Sequence, residues 1–206
     1  MTCKSGFKFK LADQEDYDES CKQKIDQHSG LKVWESAYDL CDFLNEQIDW
    51  TTISNVLELG CGHGLPGLVA LLHGKKVTFQ DYDAETLEIT RRTLSLNSSS
   101  LENAEFIAST WETFVISNTR QYDLILCSEA VYESTNFAVL SEIFFSSLAL
   151  SGIGLVAGKK FYFGCGGGTL GFAEYVERSG KFSGVKSVRS IEDKRSNVRE
   201  IVEVRL

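Results

Sequence analysis

The run Val56-Leu57-Glu58-Leu59-Gly60-Cys61-Gly62-His63-Gly64-Leu65-Pro66-Gly67 constrains this chain more than any other segment. A β-rich apolar stretch passes through closely spaced glycines into residues with helical spacing. Glycine lets the backbone turn sharply and lets a ligand approach with no Cβ in the way. Pro66 falls in a first helical turn, where its missing N–H costs nothing. The helix that follows opens with unpaired N–H groups aimed at whatever the loop holds. A strand, glycine loop and helix in this order belong to α/β sheets that bind ligands at the carboxyl ends of their strands.

The rest of the chain extends that pattern. From Leu31 onward, Val33, Trp34, Ala37, Tyr38, Cys41, Leu44 and Ile48 recur every three or four residues, predicting a helix that ends near Trp50. Strand-like runs follow at 55–59, 76–80, 104–108, 122–127 and 152–158, with helical spacing over 65–73, 84–97, 136–150 and 170–179. Apolar strands alternating with helices imply a mainly parallel sheet covered on both faces. Residues 184–189 and 198–205 alternate polar with apolar and have no helix between them, so they read as a terminal antiparallel pair. At 206 residues this is one α/β domain over 31–206, preceded by a polar, acidic lead-in over 1–30 that is expected to be poorly ordered.

Two ligand chemistries fit the loop. Gly62-x-Gly64-x-x-Gly67, with Asp81 nineteen residues after Gly62, matches the dinucleotide fingerprint. Glu58 points elsewhere, because a carboxylate two residues before Gly60 disfavours a pyrophosphate and suits the cationic head of S-adenosylmethionine. In that reading Glu58, Gly60, Cys61 and Gly62 surround the cofactor. Asp81, closing the second strand, accepts both ribose hydroxyls, and Trp111 after the third strand lies beside an adenine pocket.

Charge and cysteine usage exclude several classes. A net charge of −8 provides no general affinity for nucleic-acid backbones and favours a basic protein partner. No run approaches the eighteen or so apolar residues of a membrane span. Residues 1–11 hold three lysines and no apolar core, so neither a signal peptide nor an anchor is expected there. Six cysteines without a C-x-x-C pair read as free thiols of a reducing compartment, cytoplasm or nucleus. The three histidines form neither a metal triad nor a nucleophile pair.

Five segments together resemble one family: Gly30 to Ser36 (GLKVWES), Val56 to Gly67, Phe79-Gln80-Asp81-Tyr82, Tyr122 to Tyr132 (YDLILCSEAVY) and Tyr162 to Gly168 (YFGCGGG). They look like the histidine protein methyltransferase branch of the methyltransferase-like proteins. The resemblance implies a seven-stranded Rossmann-like class I sheet, strand order 3-2-1-4-5-7-6, that uses S-adenosylmethionine; a monomer is expected. It places cofactor contacts at Val33, Trp34, Glu35, Ser36 and Ala37, at Gly60, at Gln80, Asp81 and Tyr82, at Ser109, Thr110 and Trp111, and at Ser128. It implies methylation of a histidine in a large-subunit ribosomal protein. Glu129-Ala130-Val131-Tyr132 fits the (D/E)-x-x-(Y/F) signature at the rim of such active sites.

The chemistry asks little of the protein. A neutral imidazole already carries a free lone pair at pH 7, whereas lysine must first lose a proton. Glu129 is expected to hold the substrate N–H and Tyr132 to shape the channel. The Gly164–Gly168 run reads as a flexible substrate lip beside Lys159, Lys160, Phe161 and Tyr162. Lysine methylation, a non-catalytic cofactor-binding chaperone and a nicotinamide oxidoreductase remain as alternatives.

Overall fold

Seven strands build one mixed sheet in the order β3-β2-β1-β4-β5-β7-β6, seen in a computed structural model that describes residues 6, 8–12, 32–193 and 197–206. The strands are β1 (Asn55–Leu59), β2 (Lys76–Asp81), β3 (Ala104–Ala108), β4 (Tyr122–Ser128), β5 (Leu148–Lys159), β6 (Gly184–Ile191) and β7 (Arg199–Arg205). The first five pair in parallel; β7 runs antiparallel to both β5 and β6. The expected order and the terminal hairpin are therefore both present.

Among the described residues, six α-helices cover the two faces: α1 (Glu35–Gln47), α2 (Leu65–Leu72), α3 (Ala84–Asn97), α4 (Trp111–Ser117), α5 (Phe137–Ser147) and α6 (Thr169–Ser179). Leu40 and Leu44 of α1 and Leu65, Leu68 and Val69 of α2 pack with Phe79 and Leu94 on one face. Phe114, Phe137, Phe144 and Phe172 pack with Leu57, Leu59 and Ile125 on the other. Each of the larger chains here contributes roughly 1.5–3 kcal/mol by burial, so both faces stabilise the sheet. The order reverses at β1, between β2 and β4, which opens a crevice beyond their carboxyl ends.

Three local readings differ from the sequence pattern. The apolar run 148–150 extends β5 rather than α5, because Leu148 pairs with Tyr122 and residues 149–152 bulge before Ile153 meets Leu124. Strand pairing there overrides helical spacing and leaves Leu150 87% exposed. α4 has no counterpart in the apolar pattern; it buries Phe114 fully and is capped by Thr110, whose hydroxyl accepts from Thr113 N at 3.3 Å. The first helix stops at Gln47, and Asp49 instead caps a single 3₁₀ turn at Trp50–Thr52.

Part of the polar lead-in is docked on the domain. Phe9 is buried in the core beside α1–α3. Lys10 exchanges backbone hydrogen bonds with the Asn97 side chain (2.9 and 2.6 Å), and Ala12 N donates to Thr93 Oγ1 at 3.3 Å. The ordered structure thus begins before Leu31. Most of segment 1–30 lies outside the described residues.

Candidate active site

A cavity of about 410 Å³ occupies the crevice between β1 and its neighbours. Its walls bring together Val33, Trp34 and Ala37 ahead of and within α1, Gly60, Cys61 and Gly62 of the glycine loop, Asp81 and Tyr82 after β2, Thr110 and Trp111, and Ser128, Glu129 and Tyr132 after β4. These thirteen are residues that the glycine motif or the family resemblance had singled out. Lys32, His63 to Pro66, Glu112, Ala130, Glu133 and Asn136 also line it.

Glu58 does not line it, which corrects the reading of Glu58 as a cofactor contact. Its side chain is 1% exposed and turned beneath the loop, where Oε2 accepts from Gly67 N at 2.8 Å. Gly64, the N-cap of α2, has φ 70° and no side chain to cap with, so Glu58 supplies the acceptor for that first turn. Burial pushes the Glu58 carboxyl up to about 8, the Gly67 N–H opposing and the Asp81 charge adding to the shift. At neutral pH it is mostly a neutral acid, so it does not supply the negative charge that the motif was read to offer.

Gln80 also lies behind the wall, fully buried, and its contacts are with protein. Its Oε1 accepts from Gly60 N (3.3 Å) and the Trp111 indole N–H (3.0 Å), while Nε2 donates to Ser109 O at 2.6 Å. It ties the glycine loop to the loop after β3 and fixes the orientation of the Trp111 ring. Ser109, Glu35 and Ser36 likewise lie outside the lining. No general sequence rule marks a buried amide as a hub, because its role depends on partners twenty and thirty residues away.

Asp81 closes β2 and lines the cavity. Its Oδ2 accepts from Gly62 N (3.1 Å) and its Oδ1 from Asp83 N (3.3 Å), which fixes the carboxylate while leaving acceptor positions toward the cavity. Burial raises its carboxyl above the usual range, against the pull of the Gly62, Asp83 and Tyr82 amides. The helix N-cap for α3 is Asp83, accepting from Glu85 N and Thr86 N. Burial also raises the Cys61 thiol, and Cys127 to about 12, so neither is a nucleophile at neutral pH. Among the described residues no group of three or more His, Cys, Asp or Glu is arranged to hold a metal.

In the segment after β4, Glu129 is the one described non-glycine residue with positive φ, 58°. Such strain persists where surrounding contacts impose it. Here Oε1 accepts from Ser36 Oγ and Ser36 N, and Oε2 accepts from the Tyr162 hydroxyl. The glycine run is not a free lip. Gly166 bridges Glu133, Gly168 N donates to Val131 O at 2.8 Å, and Tyr162 N donates to Gly167 O at 3.1 Å. A Cβ at Gly167 would overlap the Val131 and Tyr132 carbonyls, and one at Gly168 the Lys160 carbonyl. These glycines permit backbone to lie on backbone, clamping the segment that carries Glu129 and Tyr132.

The profile of the lysine methyltransferase family matches residues 14–161, most of the chain. The chain belongs to this methyltransferase family. It is also similar to the histidine protein methyltransferase 1 homolog of Dictyostelium discoideum, 38% identical over 85% of this chain and 57% of the relative. The Bos taurus homolog of the same name is 34% identical over 74% of this chain and 49% of the relative. The chain therefore spans about half the length of these curated relatives. In structure, a 16S rRNA methyltransferase of T. thermophilus superposes with TM-score 0.64 at 15% identity, covering 84% of this chain and 43% of that one. That likeness shows the class I methyltransferase fold of this chain.

Proposed function

We propose that the chain is an S-adenosylmethionine-dependent protein methyltransferase whose acceptor is a histidine side chain. The observation that carries the acceptor is the state of Glu129 at the cavity wall. A carboxylate offers about four acceptor positions. Three are taken by Ser36 Oγ, Ser36 N and Tyr162. One remains, which matches the single N–H of a neutral imidazole better than an ammonium with three donors. The similarity to relatives named histidine protein methyltransferases supports the same reading.

The residues present fit the cofactor. Asp81 offers fixed acceptors for a pair of hydroxyls, Trp111 and Val33 offer apolar faces, and the loop at Gly60–Gly62 lets backbone approach closely. When bound, S-adenosylmethionine supplies an electrophilic methyl carbon whose bond to sulfur breaks as the acceptor lone pair forms the new N–C bond. The protein's task is alignment and exclusion of water. Glu129 holds the distal ring N–H, which fixes the tautomer and aims the other nitrogen's lone pair, and the ring sheds that proton to solvent afterwards. Tyr132 narrows the approach.

Asp81, Glu112, Glu129 and Glu133 on the cavity wall, with a net charge of −8, favour a basic protein substrate, and a large-subunit ribosomal protein has that character. Action as a monomer in cytoplasm or nucleus, without direct nucleic-acid contact, belongs to the same proposal. The test uses tritiated S-adenosylmethionine with matched peptides bearing one histidine or one lysine, followed by mass spectrometry. Label on histidine alone is expected; label on lysine alone would overturn the acceptor assignment, and label on neither the transferase reading.

A further inference from the structure

We propose that Tyr162 is a positioning residue of the acceptor site, clamping the Glu129 carboxylate with its hydroxyl against Ser36 and bracing Tyr132 with its ring; this rests on the methyltransferase reading above. Neither Tyr162 nor Ser36 lines the cavity, whereas Glu129 and Tyr132 both do. Tyr162 therefore reaches the reacting groups only through the two residues of the rim. Its hydroxyl donates to Glu129 Oε2, and its ring meets Tyr132 edge-on, centroids 6.4 Å apart at 67°.

The donor itself is held in place. Lys159 N donates to the Tyr162 oxygen at 3.0 Å, which polarises the O–H toward Glu129. Burial, then the adjacent Glu129 charge, raises the phenol above its usual range, so the proton stays on Tyr162 wherever the enzyme works. The turn that carries Tyr162 is closed by Cys165 N and Gly166 N donating back to Tyr162 O, both at 3.3 Å. The same turn is bonded to residues 131–133, so Tyr162 and its targets move as one unit.

From the opposite side Ser36 lies in the first turn of α1, 1% exposed, next to Ala37 and two residues beyond Trp34, which line the cofactor half of the cavity. Glu129 is thus gripped between the segment that faces the cofactor and the loop that follows β5. Its left-handed backbone conformation has no glycine to relax it, and two opposed donors keep the carboxylate aimed. A hydrogen bond that only stabilised the loop would affect activity whether or not Glu129 were present. A positioning bond matters only while there is a carboxylate to position.

The experiment is a double-mutant cycle on the full chain, with methyl transfer from S-adenosylmethionine to whichever peptide the intact protein modifies, and cofactor binding measured by calorimetry. Tyr162→Phe is expected to lower kcat about 10- to 100-fold, with cofactor Kd within about two-fold of the parent. In a Glu129→Ala background the same change is expected to cost nothing further. Equal losses in both backgrounds, or a parental kcat in Tyr162→Phe, would overturn the proposal. Should Tyr162→Phe fail to fold, the cycle of Ser36→Ala with Glu129→Ala, read on the opposite carboxylate oxygen, decides the clamp by the same criterion. An intact protein that methylates neither peptide refutes the transferase reading and the positioning role with it; modification of lysine alone refutes only the acceptor assignment.

Discussion

The Glu58 carboxyl group and the Gly67 N–H, nine residues apart, are joined by a hydrogen bond of 2.8 Å beneath the cofactor loop. The bond ties the end of β1 to the first turn of α2. Residue 67 has no room for a side chain, since a Cβ there would lie 2.4 Å from a Phe79 ring carbon and 2.5 Å from Glu58 Oε2. The other oxygen, Oε1, is buried with no partner, as suits a carboxyl group that keeps its proton.

That protonation makes stability depend on pH. Unfolded, Glu58 ionises near 4.5; folded, near 8, with Asp81, Cys61 and Cys127 as its titratable neighbours. Below pH 4.5 both states bind the proton and no difference arises. Between the two values only the folded state binds it, so stability falls with rising pH, by at most about 1.4 kcal/mol per unit. Glu58→Gln, which keeps an acceptor for Gly67, should remove this slope and be more stable than the parent by about 1–3 kcal/mol at pH 7. Urea unfolding of both proteins from pH 5 to 8 checks it; a difference that stays constant with pH would contradict the raised carboxyl.

Asp81→Ala should weaken S-adenosylmethionine binding at least about 10-fold, the loss expected for hydrogen bonds to a charged acceptor. Asp81→Asn, which retains one acceptor oxygen, should fall between. Calorimetric titration gives both values, and NAD in the same titration should show no binding to the parent. Parental affinity in Asp81→Ala would remove Asp81 from the site.

Gly167→Ala and Gly168→Ala should each cut methyl transfer by more than about 10-fold while changing cofactor affinity little, because the overlap falls on the backbone at Val131, Tyr132 and Lys160. Gly164→Ala, in the same turn with φ 84° and open space around it, should cost only the strain of a left-handed alanine, about 1 kcal/mol, and leave transfer close to parental. Single-turnover transfer and thermal unfolding on the three variants check the contrast. Equal effects at 164 and 167 would mean that the run is a mobile linker, not a clamp.

Much of this architecture is legible from local pattern. The glycine loop, the alternation of strands with helices and the terminal hairpin rest on periodicity and backbone freedom, which neighbours in sequence determine. The place of Asp81 on the cavity wall was legible for the same reason, since it ends a strand beside the glycine loop. The bulge at 149–152 was not, because Leu148 acquires its strand partner only when Tyr122 lies beside it.

The sequence by itself determined where the strands, the glycine loop and the acid at the end of β2 would fall, and which side chains could surround a cofactor. Only the tertiary structure decided what three polar groups do there. Glu58 turned from ligand contact to buried helix cap, Gln80 became a hub between loops, and Tyr162 met Glu129 across 33 residues. Hydrogen bonds are directional and short, so such roles depend on which donors folding brings within about 3 Å, and that geometry has no local signature in the chain.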